Sequence, residues 1–152
     1  MAAQLRSVAT ELHPPVLDDL GLVPALEALA SQVAALPVRL RFDRTAGYAP
    51  DDRPPPEVEL AAYRIAQEAT ANAVRHSGGA EVTISGGIRP DSVTIEIADD
   101  GRGVTDREIE DALRAGHLGI ASMRRRAEAV DGTLEVSGSR DAGSTVRFRW
   151  VR

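Results

Sequence analysis

Two pairs of strand-like segments in this chain are joined by turns too short to hold a helix, and this limits the folds open to it. Residues 81–88 and 92–98 flank only Arg89-Pro90-Asp91, and residues 133–137 and 145–151 flank the turn-rich stretch 138–144. In the segment 92–98, Val93, Ile95 and Ile97 alternate with Thr94 and Glu96, which makes one face buried and the other wet. Antiparallel strands close through a hairpin, whereas parallel neighbours need a crossover, usually helical. A doubly wound parallel sheet is therefore excluded. A further strand is expected at Val38-Arg39-Leu40-Arg41-Phe42, which alternates apolar and charged residues.

Helical periodicity fills much of the rest. A short helix is expected over 1–12, ended by Pro14-Pro15. A second is expected over 23–36, where Val23, Leu26, Leu29, Val33 and Leu36 recur at spacings of three and four before Pro37. A long helix is expected over 56–77, opened by Pro56 with Glu57 and Glu59 in its first turn and ended by Gly78-Gly79. A last one follows Gly119 and stops near Asp131-Gly132. The segment 45–56 reads as a loop, and 105–115 as a charged stretch without clear pattern. This order implies an α+β chain, a two-layer α/β sandwich with a mixed, mostly antiparallel sheet covered on one face by about three helices.

Composition removes several functions. The 152 residues carry no cysteine, which excludes disulfides and thiolate metal sites, and the histidines (His13, His76, His117) are far apart. A net charge of −5 and 3% aromatic residues argue against a nucleic-acid footprint or a stacking platform for single strands. No run approaches the about 18–20 apolar residues of a membrane span, and the N-terminus has no signal-peptide core. A cytoplasmic chain is expected.

Four groups of residues carry chemical potential. Asp99-Asp100-Gly101-Arg102-Gly103 follows a strand, so a carboxylate meets glycines that permit close backbone approach; an acidic surface turn would look the same. It does not open a helix as a dinucleotide fingerprint does, and no Walker-type phosphate loop occurs. On the long helix, Arg64, Glu68, Asn72, Arg75 and His76 form a polar stripe. Asn72 can offer a neutral oxygen to magnesium, Glu68 can orient a metal-bound water or act as a base, and Arg75 and His76 can meet phosphate. A solvated helix face is the plainer reading of the same stripe. Gly116-His117-Leu118-Gly119 leads into a helix N-terminus, a setting suited to phosphate or simply to a loop. Thr145, in Gly143-Ser144-Thr145, either bonds its own backbone or reaches a ligand shared with Asp99.

In this order the four groups resemble the ATP-binding domain of the GHKL superfamily, which includes gyrase, MutL and sensor histidine kinases. The stretch from Gln67 to Ser77 looks like its N-box, Asp99 to Gly103 its first glycine box, Gly116 to Arg124 its second, and Gly143-Ser144-Thr145 its closing motif. The Gly-x-x-Gly-Ile-x-x-Met-Arg-x-Arg-Ala run and Leu12 to Leu22 resemble the nitrate-sensor and DesK-type histidine kinases. The resemblance covers Val38 to the C-terminus and implies a Bergerat-type ATP-binding domain over 38–152, with 1–37 a helical link from a dimerisation domain.

The same resemblance implies the roles. Asp99 accepts from the adenine amino group with support from Thr145, and Asn72 holds Mg2+ against the phosphates. Glu68 is the candidate catalytic group. Arg75 and His76 contact phosphate or ribose. Gly101, Gly103, Val104, Gly116, His117, Leu118 and Gly119 complete the ATP site, with 104–118 as the lid. Arg124-Arg125-Arg126 becomes the outer part of the helix after the lid. The expected reaction is transfer of the ATP γ-phosphoryl group to a histidine on a dimerisation domain and then to a response regulator, without nucleic acid. An anti-sigma-type serine kinase and a non-catalytic nucleotide-binding module are the alternatives. Glu11-Leu12-His13 imitates an acceptor motif, but Pro14-Pro15 would break the helix an acceptor needs, so His13 is not expected to be phosphorylated. With so little before the link, the chain reads as a fragment, monomeric by itself, of a homodimeric kinase open to membrane anchoring.

Overall fold

A computed structural model describes residues 14–42 and 52–152. The expected helix over 1–12, His13 and most of the 45–56 loop lie outside the described residues. Five strands form one sheet: β1 (Val38–Phe42), β2 (Val82–Arg89), β3 (Ser92–Asp99), β4 (Thr133–Gly138) and β5 (Ser144–Val151), in the order β1-β2-β3-β5-β4. Only β1 and β2 are parallel; β2–β3, β3–β5 and β5–β4 are antiparallel. The sheet is mixed and mostly antiparallel, as its short connections require.

Register makes one face of the sheet apolar up to the strand ends. Leu40 pairs with Ile84, Ile84 with Ile97, Ile95 with Phe148, and Phe148 with Leu134. Directly paired residues point to the same side, so these side chains form one continuous layer. Ile84, Ile95 and Phe148 are fully buried. The other face carries Arg39, Thr83, Glu96, Arg147 and Glu135, with Arg147 bonded to Glu96 at 3.2 Å. Helices cover the apolar face.

The central helix is α3 (Pro56–Asn72), which continues as a π-turn through Ala73–Ser77. Proline at its first position costs no hydrogen bond there, and Glu57 and Glu59 sit at its positive end. Its expected apolar face, Val58, Ala62, Ile65, Ala69 and Ala73, is buried. Small residues along this face let the helix lie close to β3, which it contacts together with β5.

The structure contains five α-helices among the described residues. Ahead of β1, α1 (Pro15–Leu20) and α2 (Leu22–Gln32) are separated by Gly21 at φ +96°. Leu17, Leu22 and Leu26 from these two helices are at most 2% exposed and belong to the same core as the sheet. α2 stops at Gln32, short of the expected residue 36, because Val33 is extended. The stretch 105–115, read as unpatterned, forms α4 (Asp106–Ala115). Thr105 and Glu108 make a reciprocal capping box at its start, and Ile109 and Ala112, three apart, supply its buried face. The helix α5 (Ile120–Glu128) follows, with Arg124 and Arg125 exposed on it. No described helix is long and apolar enough to cross a membrane.

One polar cluster fastens α1 to the body. Glu59 on α3 is 3% exposed, and its carboxylate receives Arg53 Nη2 at 2.8 Å and Nε at 3.3 Å. The same guanidinium donates to Leu17 O at 2.7 Å and Asp18 O at 3.0 Å, two carbonyls near the C-terminal end of α1. Arg53 thus neutralises a buried charge and caps a helix at once. Arg53→Ala leaves that carboxylate buried without this cation. Because the Arg53 side chain is 28% exposed, the loss expected in urea denaturation is about 2–3 kcal/mol, below the about 3–5 kcal/mol of a fully buried broken pair.

Candidate functional site

The site lies where the end of α3 meets the end of β3. In the π-turn the backbone widens by one residue relative to an α-helix, and Gly78 at φ +65° ends it. Ser77 O accepts from Arg102 N at 2.8 Å, which stitches the helix end to the glycine turn after β3. Gly101 permits this: a Cβ there would collide with the Ser77 carbonyl and side chain. Asp100 ties the same corner from outside, with its Oδ1 accepting from Ala80 N at 2.7 Å and Glu81 N at 3.0 Å. These bonds, Glu81 first, hold the Asp100 carboxyl below its usual range. The two adjacent aspartates therefore divide the work. Asp100 builds the corner, and Asp99 faces the recess.

Asp99 is set by two donors. Gly101 N gives to Oδ1 at 2.9 Å, and Ser144 Oγ gives to Oδ2 at 2.6 Å. An ionised carboxylate has about four acceptor positions, so a ligand donor can still be received. Around it, Ile97, Val146, Ile120 and Met123 line an apolar recess that Gly103 and Val104 also border. An acceptor in the lining of an apolar slot suits a flat heterocycle bearing an amino group.

The recess opens into a second, polar one. Asn72, His76, Glu108 and Leu118 border both, and Glu68, Arg75, His117 and Gly119 border the polar part. Asn72 Nδ2 donates to Leu118 O at 2.5 Å, while Asn72 Oδ1 receives Arg75 Nη2 at 3.4 Å. Arg75 also lies 3.9 Å from Glu68 Oε1. Glu68 presses on Gly119, where a Cβ would strike the carboxylate; Gly119 moreover has φ +61°. One carboxylate and one amide oxygen beside open space fit a magnesium ion that takes its other ligands from water and phosphate. They do not make an all-protein cage: no cluster of three or more acidic or histidine ligands occurs among the described residues.

Of the residues singled out from sequence, Glu68, Asn72, Arg75, His76, Asp99, Gly103, Val104, His117, Leu118 and Gly119 border this double recess. Gly101 and Gly116 act behind it, the first in the corner and the second as the left-handed end of α4. Thr145 lies elsewhere: it pairs with Ala98 and Ser137, on the polar face of the sheet. Ser144, paired with Asp99, is the hydroxyl that bonds its carboxylate. The alternation Ser144, Val146, Phe148, Trp150 carried that signal. Arg64 also departs from the stripe, being buried with its Nη1 on Gln67 Oε1 at 3.0 Å. Ile120 and Met123, which stand in the Gly-x-x-Gly-Ile-x-x-Met run, prove to be the apolar wall of the recess.

Residues 57–152 match the family described as histidine kinase-, DNA gyrase B-, and HSP90-like ATPase. The sensor histidine kinase NarS of Mycobacterium tuberculosis is 34% identical over 136 residues, covering 86% of this chain and 30% of the relative. The nitrate/nitrite sensor protein NarX of Escherichia coli is 32% identical over 152 residues, covering 98% of this chain and 24% of the relative. The chain thus spans about a third or less of these relatives. Among solved structures, the ATP binding domain of PrrB from Mycobacterium tuberculosis superposes with a TM-score of 0.57 at 27% identity, covering 86% of this chain and 90% of that one.

The Asp100 bonds give the corner a pH signature. A carboxyl held low in the folded state stabilises the fold above about pH 4 and loses that contribution as pH falls through the lowered value. Asp100→Asn is expected to unfold at lower urea than wild type at pH 7, with the gap closing in acid. Denaturation midpoints measured at several pH values between 7 and 3 check this.

Proposed function

The chain belongs to the family of histidine kinase-, DNA gyrase B- and HSP90-like ATPases, and from that premise we propose that the double recess binds ATP with Mg2+ for transfer of its γ-phosphoryl group to a histidine. The observation that carries the reading is the Asp99 carboxylate, fixed by Gly101 N and Ser144 Oγ in the lining of an apolar slot that runs into a polar cradle. Adenine lies in the slot with its amino group on Asp99. The phosphates lie toward Asn72, Arg75 and His117, under the lid 104–118. The metal, held by Asn72 with Glu68 near its water shell, supplies charge neutralisation at the phosphates. Glu68 offers its carboxylate to that water shell or to the proton of the acceptor.

Phosphoryl transfer needs alignment and electrostatic stabilisation more than covalent help. The chain's own part is to fix the nucleotide between two rigid elements, α3 and β3, and to exclude water with the lid. The acceptor histidine is proposed to belong to a dimerisation domain linked through residues 1–37, and the product phosphohistidine to serve a response regulator. The names of the relatives, sensor histidine kinases, favour this over a serine-directed anti-sigma kinase.

Calorimetric titration with a non-hydrolysable ATP analogue and Mg2+ tests the site. Wild type is expected to bind saturably, and Asp99→Asn to bind about tenfold to a hundredfold more weakly, the loss of a charged hydrogen bond. Equal binding by both proteins would remove adenine from Asp99, and no binding of ATP or ADP by wild type would remove the nucleotide reading. Phosphoamino-acid stability decides the acceptor, since phosphohistidine is lost in acid and phosphoserine is not.

A further inference from the structure

The two ends of the Asn72 amide face different parts of the site. Its Nδ2 donates to Leu118 O at 2.5 Å, and its Oδ1 faces the Arg75 guanidinium at 3.4 Å. The orientation is fixed by chemistry, because a carbonyl only accepts and a guanidinium only donates. Leu118 is the last lid residue before Gly119 and α5, and it stands at φ +63°, a left-handed conformation that a leucine adopts at a cost. Gly116 and Gly119 on either side, at φ +71° and +61°, share that hand without the penalty. A strained residue persists where its surroundings hold it. Here the Asn72 side chain, from the neighbouring helix α3, grips its carbonyl. Glu68, one turn earlier on α3, packs against Gly119 at the same joint.

We propose that Asn72 is a positioning residue for the lid as well as a ligand for the metal: its amide nitrogen latches the C-terminal joint of the lid at Leu118, leaving its oxygen toward the phosphate end. The inference rests on the nucleotide reading for the second of these tasks and on the geometry alone for the first. It makes the residue type specific. Aspartate keeps the oxygen that a metal requires but sets an acceptor against the Leu118 carbonyl, so it opens the joint. Alanine removes both functions without adding repulsion. The latch links occupancy of the phosphate end to the lid through one side chain, because a ligand that pulls on Oδ1 turns the same amide plane that holds Leu118.

Hydrogen exchange of the nucleotide-free 152-residue chain, followed by mass spectrometry, tests the latch without requiring ATP. In Asn72→Ala, peptides from α4 are expected to exchange about two- to tenfold faster than in wild type, the effect of one net hydrogen bond. In Asn72→Asp they exchange faster still, while a peptide from β3 keeps its wild-type rate in both. Unchanged α4 exchange in the two variants overturns the latch. So does faster exchange in Asn72→Ala with wild-type exchange in Asn72→Asp, which would make the contact one of packing. Equal acceleration of α4 and β3 would place the effect in global stability and overturn it as well. A latch confirmed in this way stands even if the titration with the ATP analogue fails, so the two readings are tested separately.

Discussion

The hydrogen bond from Arg102 N to Ser77 O holds the corner on which the site depends. It joins the end of a helix to the end of a strand, two elements 20 or more residues apart in sequence, and it needs a helix whose last turn leaves a carbonyl turned outward. The π-turn at Ala73–Ser77 supplies that carbonyl, and Gly101 supplies the space in front of it. With the corner closed, Asp99 on β3 and Asn72 on α3 stand on facing walls of one recess. Without it, each would be a polar residue at an element end.

Burial and charge are separated by the same architecture. Alternation along the strands sends Ile84, Ile95, Ile97 and Phe148 to the helices and Arg39, Glu96 and Arg147 to the opposite face. At the strand ends this alternation does not stop: Asp99 and Ser144 continue the inward rows of β3 and β5. A polar pair is thereby carried to the edge of the core, where Ser144 satisfies one carboxylate oxygen and Gly101 the other. A polar group beside apolar walls is expensive unless bonded, and these two donors meet that cost while leaving acceptor capacity over. Binding chemistry here is an extension of the core pattern.

Much was legible from residue order. The hairpin-length turns excluded a doubly wound sheet, and the periodicity of Val58, Ala62, Ile65, Ala69 and Ala73 identified the helix face that the sheet would cover. The motif residues on that helix and after β3 do border one recess. Where residue order and structure part, the cause is physical. α4 shows little apolar period because only Ile109 and Ala112 of its ten residues are buried; charge covers a helix whose Thr105-x-x-Glu108 cap is readable. Ser144 and Thr145 are hydroxyl residues side by side, and only strand register says which one faces inward. α2 ends before its apolar spacing does, since Val33 continues the spacing while its backbone is already extended.

Sequence alone determined the local, periodic and compositional properties of this protein: its class of fold, the buried face of its central helix, the absence of thiol chemistry, and the residue types that could meet a nucleotide. These depend on spacing and side-chain chemistry, which are written along the chain. Tertiary structure decided which of two neighbouring hydroxyls bonds Asp99, which of two aspartates builds the corner, that Arg53 crosses to the carbonyls of α1, and that the Asn72 amide reaches the lid at Leu118. Each of these is a contact between residues distant in sequence, and a one-residue change of register or a single widened turn would exchange one partner for another. Such choices are made by the packing of the whole chain, because only there do the competing neighbours differ in burial.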